Sequence, residues 1–227
     1  MPKESKEEKK ARIKKIFSRL EKMYPDAHCA LDFHNPFELL AATILSAQCT
    51  DARVNIVMKD FRPRFPNAKV LAGASLPEIE SVIRTTGFFR QKAKSLKSMA
   101  SDIVEKFGGK VPQTMDELTT LRGVGRKTAN VVLGNAFGLA EGIAVDTHVT
   151  RLANRLKITS HKEDAVKIEK DLMELVPKED WTMTTHYLIS HGRQICVARS
   201  PKCPECKIGD LCPSRKLYHP ELSSASG

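Results

Sequence analysis

A lysine attacks carbon only as the free amine, and Lys127 occupies a position that can supply one. In TMDELTTLRGVGRKTANVVLGNAF a short helix capped by Thr114 and Glu117 runs into the turn Leu121 to Gly125. An amphipathic helix carrying Ala129, Val132, Leu133 and Ala136 follows, so the string reads as a helix-hairpin-helix. Lys127 falls in the first turn of the second helix, where the positive end of the dipole and Arg126 oppose a further cation. Such a lysine can form a Schiff base with a sugar carbon, although one that merely pairs with phosphate fits the same position. Gly123 and Gly125 let the backbone turn sharply and approach a ligand closely. With Val124 between them, they bring the amides that start the second helix to a place where a phosphate oxygen can be held. Binding of this kind reads the nucleic-acid backbone and not the base sequence.

Two further groups carry chemistry. Asp146 precedes a helix whose apolar face is Val149, Leu152, Ala153 and Leu156, which places it at the N-cap. A capping carboxylate is an anion held by amides, and an anion near a reacting sugar can stabilise positive charge or take a proton from an amine. Cys196, Cys203, Cys206 and Cys212 form the spacing C-x6-C-x2-C-x5-C, stiffened by Pro201, Pro204 and Pro213. Four soft ligands in one loop bind metal, and thiolate-only ligation suits either structural zinc or an iron-sulfur cluster. Arg199 and Lys202 project from the first span of that loop as a second phosphate contact. His186 and His191 lie five positions apart, about 140° around a helix, and are left out of the metal site.

The elements that must position these groups are almost wholly helical. Ile13, Ile16, Phe17, Leu20, Met23 and Tyr24 recur at helical spacing ahead of Pro25, while the preceding KESKEEKKARIKK reads as a solvated helix face or a frayed tail. Asn35, Pro36 and Glu38 start a helix that is apolar nearly all round, FELLAATILSAQ. Ser75 with Glu78 repeats the capping-box signal, and Gly87, Gly108 and Gly138 stand where helices stop. A formal net charge of +10 calls for an anionic partner. No apolar run is long enough for a membrane span or a signal-peptide core, and four clustered cysteines suit a reducing compartment.

LLAATILSAQCTD, LRGVGRKTANVV, AVDTHV and HGRQICVARSPKCPECKIGDLC occur in the order in which the endonuclease III family carries its motifs. From Ile13 to Cys212 the chain resembles that iron-sulfur branch of the helix-hairpin-helix DNA glycosylases. The resemblance implies an all-α fold with two helical domains flanking a DNA-binding cleft. A six-helix domain would span 29–140 and a discontinuous iron-sulfur domain 1–28 plus 141–215. A partly disordered tail would cover 216–227 and end in SSASG.

The same resemblance implies a monomeric, bifunctional glycosylase and AP lyase of base excision repair acting on oxidised pyrimidines in duplex DNA. The target nucleotide would be flipped from the helix, and a bacterial member would be cytoplasmic and nucleoid-associated. Lys127 would attack the sugar with help from Asp146, and a 4Fe-4S cluster, in preference to zinc, would sit on Cys196, Cys203, Cys206 and Cys212. Gln48 would fill the vacated space and Phe88 would act as a wedge. Within the superfamily, an adenine glycosylase would lack a lysine at the hairpin. A non-catalytic DNA-binding or electron-transfer protein would have no need to pair Lys127 with Asp146. Arg122 replaces a frequent proline, Phe88 a usual leucine, and the Lys127 to Asp146 connection is slightly long, which bears on opposite-strand recognition and lesion preference.

Overall fold

The computed structural model describes residues 4–220, and SSASG lies outside them. In chain order the α-helices are α1 (Lys6–Met23), α2 (Pro36–Leu45), α3 (Asp51–Arg64), α4 (Ala68–Gly73), α5 (Leu76–Ile83), α6 (Phe89–Phe107), α7 (Met115–Thr120), α8 (Arg126–Val132), α9 (Thr147–Arg155), α10 (Ala165–Leu175), α11 (Trp181–Gln194) and α12 (Arg215–Tyr218). No strand occurs among the described residues, and none of their helices is long and apolar enough to cross a membrane. The chain divides into two compact units, Cys29–Glu141 and the discontinuous Met1–His28 with Gly142–Gly227.

The continuous unit is organised by α2 and α6. Asn35 accepts the Glu38 amide at 3.0 Å and Pro36 opens α2, which then buries Phe37, Leu39, Leu40, Ala41, Ala42, Ile44 and Leu45. Truncating a fully buried side chain such as Leu39 to alanine costs about 2–5 kcal/mol. Glu38 does not return its carboxylate to the amide of its own cap, as a capping box would have it. It accepts from the His34 amide at 2.9 Å and from Asn35 Nδ2 at 3.0 Å, and pairs with Arg62, so the buried acid ties the start of α2 to α3. Along α6, Ala93, Leu96, Met99, Ala100 and Ile103 form one buried stripe, and the helix ends at Gly108 in the left-handed region. The unit contains seven described α-helices where six are expected; α4 and α7 are only six residues long.

In the discontinuous unit, Ile13, Ile16 and Leu20 of α1 share a core with Val149, Leu152 and Ala153 of α9, Ile168 and Leu172 of α10, and Leu188 of α11. Of the two readings of the charged stretch, a solvated helix face or a frayed tail, the helix face holds from Lys6. Ser5 Oγ accepts the Glu8 amide and the Glu8 carboxylate accepts the Ser5 amide, a complete capping box that makes the charged stretch from Lys6 helical. The segment expected as a tail after residue 215 begins as the short helix α12.

Candidate active site and cysteine loop

The hairpin turn depends on one glycine more than the other. Gly123 has φ +84, and a Cβ there would lie 3.1 Å from the Ser95 Cβ on α6, so both conformation and space demand glycine. Gly125 has φ -96 and open space where a Cβ would stand. Nothing within the fold requires glycine at 125. Val124 is buried, and its amide donates to the Leu121 carbonyl at 3.1 Å, so this residue closes the turn and its N–H is already engaged. No side chain caps α8, which leaves the amides of Lys127 and Thr128 to an outside acceptor. Lys127 itself is exposed in the first turn of α8. Past Val132 the helix widens into a π-helical turn, Leu133–Phe137, before Gly138 stops it.

Gln48 and Phe88 belong to the same unit as Lys127, and both are non-glycine residues in the left-handed region, with φ 53 and φ 46. That conformation is costly for side chains with a Cβ. Phe88 is 68% exposed, so its ring is no hydrophobic cap for the helix before it; the residue is instead the N-cap of α6. With Ile44, Ala47, Gln91, Lys92, Ser95 and Gly123, the two residues line a cavity of about 240 Å³.

Asp146 belongs to the other unit and caps α9, its Oδ1 accepting the Val149 amide at 2.8 Å. The same helix reaches the cysteine loop one and two turns further on. Arg151 donates to the carbonyls of Cys196 at 3.1 Å and Gly192 at 2.9 Å. Arg155, nearly buried, donates to Cys196 Sγ at 3.2 Å and to the carbonyls of Val197 and Ala198, both at 2.8 Å, while stacking on Tyr218. Arg199 and Lys202 stand exposed on this loop.

Cys196, Cys203, Cys206 and Cys212 line one cavity together with Arg155, His191 and Ile208. Burial pushes the Cys206 thiol up to about 11, with the other three cysteines adding to the effect, and burial raises Cys203 and Cys212 as well. Thiolates are therefore disfavoured in this cavity unless a cationic centre accompanies them. No three His, Cys, Asp or Glu side chains among the described residues converge tightly enough to hold a single ion.

His191, set aside on helical spacing, touches this site. Its Nδ1 meets the Tyr24 hydroxyl at 2.9 Å and its Nε2 lies 3.5 Å from Cys206 Sγ. Arg151, Arg155, Tyr24 and Lys92 were also missed. The four-residue spacing of the two arginines on one face of α9 is the signal that could have found them.

Residues 41–178 match the family described as HhH-GPD superfamily base excision DNA repair protein. The endonuclease III of Synechocystis sp. is 52% identical over 206 residues, 91% of this chain and 94% of the relative. That of Bacillus subtilis is 48% identical over 190 residues, 84% and 86% of the two chains. Among solved structures, a trapped covalent intermediate of an endonuclease III with DNA superposes with a TM-score of 0.87 at 44% identity. The match covers 92% of this chain and 97% of that one.

Proposed function

The chain belongs to the endonuclease III family of helix-hairpin-helix base-excision repair proteins, and from that premise we propose that Lys127 is its nucleophile and Asp146 the acidic partner. The protein is a bifunctional DNA glycosylase and AP lyase that removes oxidised pyrimidines of the thymine glycol type from duplex DNA. In the proposed roles, the Lys127 amine forms a bond to the sugar C1′ as the glycosidic bond breaks and the base leaves with its electron pair. Asp146 accepts the proton that the amine gives up, and the sugar ring opens to a Schiff base. Loss of a C2′ proton then expels the 3′ phosphate by β-elimination, which cuts the strand.

The observation that carries this reading is the exposed Lys127 in the first turn of a helix that no side chain caps. A phosphate taken by the neighbouring amides would bring a sugar within reach of that amine. Gly125 supports it, since the fold tolerates a side chain there and close approach by a ligand does not. On this reading the phosphate is held by the amides around Gly123 and Gly125, Val124 contributes by closing the turn, and Arg199 and Lys202 provide a second phosphate contact. Gln48 and Phe88 enter the duplex where the target nucleotide has left it.

The donor set of Cys196, Cys203, Cys206 and Cys212 fits a 4Fe-4S cluster, which when bound would cross-link the basic loop and compensate thiolate charge. Arg155 and His191 would direct N–H groups at its sulfur ligands. The enzyme would work in the cytoplasm at the nucleoid. The test is borohydride trapping on a thymine glycol duplex. The parent protein should give a covalent complex, and Lys127→Gln should give none while still binding the duplex in a gel shift. A trapped complex with Lys127→Gln would move the nucleophile elsewhere.

A further inference from the structure

Lys92 is the one buried lysine of the described residues, 5% exposed, and the chemistry proposed above does not use it. Its ammonium sits on α6 and donates to two carbonyls, Leu45 at 2.8 Å and Thr86 at 2.6 Å. Leu45 is the last residue of α2, whose terminal carbonyl has no helical partner, and Thr86 closes the short 3-10 turn Arg84–Thr86. Gln48 follows the first carbonyl by three residues and Phe88 follows the second by two.

These are the two non-glycine residues of this unit held in the left-handed region, and both border the cavity that Lys92 lines. A backbone of that kind persists only where its surroundings hold it in place. One turn along α6, Ser95 is also buried, and its Cβ packs against Gly123 in the hairpin turn. Lys92 and Ser95 thus join the loop carrying Gln48, the loop carrying Phe88 and the hairpin to a single helix. Burial lowers the affinity of Lys92 for its proton, and the two carbonyls are the hydrogen-bond partners its side chain has in that buried position.

We propose that Lys92 is a positioning residue whose ammonium sets the spacing between Gln48 and Phe88, so that the two side chains enter the duplex together. The inference rests on the reading above in which those two residues enter DNA. Its signature is energetic coupling. Removing the ammonium should damage base extrusion only while Gln48 and Phe88 are there to be misplaced.

The experiment uses the full-length cluster-containing enzyme and a thymine glycol duplex with 2-aminopurine beside the lesion. Its variants are Lys92→Met, Lys92→Gln, the pair Gln48→Ala with Phe88→Ala, and the triple variant with Lys92→Met. Rates are normalised to the fraction of protein that borohydride traps on a single-stranded abasic oligonucleotide, which counts folded active sites. Lys92→Met should lower the glycosylase kcat and the 2-aminopurine signal by on the order of a hundredfold, as about 1 Å of misplacement would. KM should change far less. Lys92→Gln, which keeps N–H donors on a shorter, uncharged side chain, should fall between. The triple variant should be no worse than the double.

If the double variant extrudes the base normally, the reading of Gln48 and Phe88 is wrong and this inference goes with it. If the double variant is impaired and Lys92→Met is either silent or fully additive to it, the inference alone is overturned. Failure of both Lys92 variants to trap at all would make Lys92 a folding determinant and overturn it as well.

Discussion

Asp146 has a structural role and a proposed chemical one, and a pair of substitutions separates them. Its Oδ1 accepts the Val149 amide at 2.8 Å and caps α9, while the proposed proton transfer uses its charge. Alanine removes both. Asparagine keeps an oxygen in the same place and ranks with aspartate as a cap, so it removes the charge alone. Because α9 carries Val149, Leu152 and Ala153 into its core, loss of the cap is felt by the whole unit. For Asp146→Ala the expected cost is about 1 kcal/mol, or about 3 °C in Tm for a chain of this size. For Asp146→Asn it is a few tenths of a kcal/mol at most. The rate should behave differently, since both variants lose the carboxylate and both should fall by about 10²–10⁴ in single-turnover glycosylase assays. The assay is therefore a paired one, base release on a thymine glycol duplex beside a thermal melt of the same preparation. Equal rate losses with unequal Tm values are expected. Should the asparagine variant keep the parent rate while the alanine variant loses activity only in step with its stability, Asp146 is a helix cap and the acid lies elsewhere.

Three other outcomes follow from the geometry. Gly123→Ala should destabilise the fold by about 1–2 kcal/mol through its positive φ and its 3.1 Å approach to Ser95. Gly125→Ala should melt like the parent and bind DNA more weakly, so equal melting points for the two variants would contradict the distinction. His186 is buried, and burial first, then the neighbouring His28, holds its pKa down to about 4, so the unfolded chain takes up a proton that the folded one refuses. Stability from this group should therefore be intact above about pH 6.5 and fall by about 3 kcal/mol as the pH drops towards 4. Denaturant midpoints measured across that window should slope for the parent and slope less steeply for His186→Gln, where His191, which burial also holds down to about 4, still contributes. Finally, the purified protein should contain iron and inorganic sulfide, and Cys206→Ala should lose both; zinc without sulfide would refute the cluster.

Helix starts were legible because capping is local. Asn35, Ser75, Thr114 and Asp146 each announce a helix within four residues, and each is found at its cap. Ser5 with Glu8 gives the same signal, but it lies inside a charged run whose composition fits a frayed tail as well as a solvated helix face. The hairpin was legible as a motif and not in its details. Gly123 and Gly125 look alike in sequence, and the difference between them comes from Ser95, which lies on another helix. The cysteine ligands stand out by their spacing, while the groups that grip them do not. Arg155 lies 41 residues before Cys196, and Tyr24 lies 167 residues before His191. Contacts at such separations leave no periodic trace, and Lys92, inside RQKAKSLK, looks like any solvated lysine until its partners at Leu45 and Thr86 are known.

The discontinuous unit has a consequence for synthesis. Cys29–Glu141 is contiguous, whereas α1 leaves the ribosome before it and the partners of α1 after it. Between Met23 and Gly142 lie more than a hundred residues. At about 5–20 residues per second this amounts to on the order of ten seconds during which Ile13, Ile16 and Leu20 have no core to enter. The high charge of α1 then has a kinetic use. Its lysines and glutamates keep an unpartnered amphipathic segment in solution until α9, α10 and α11 arrive to cover it.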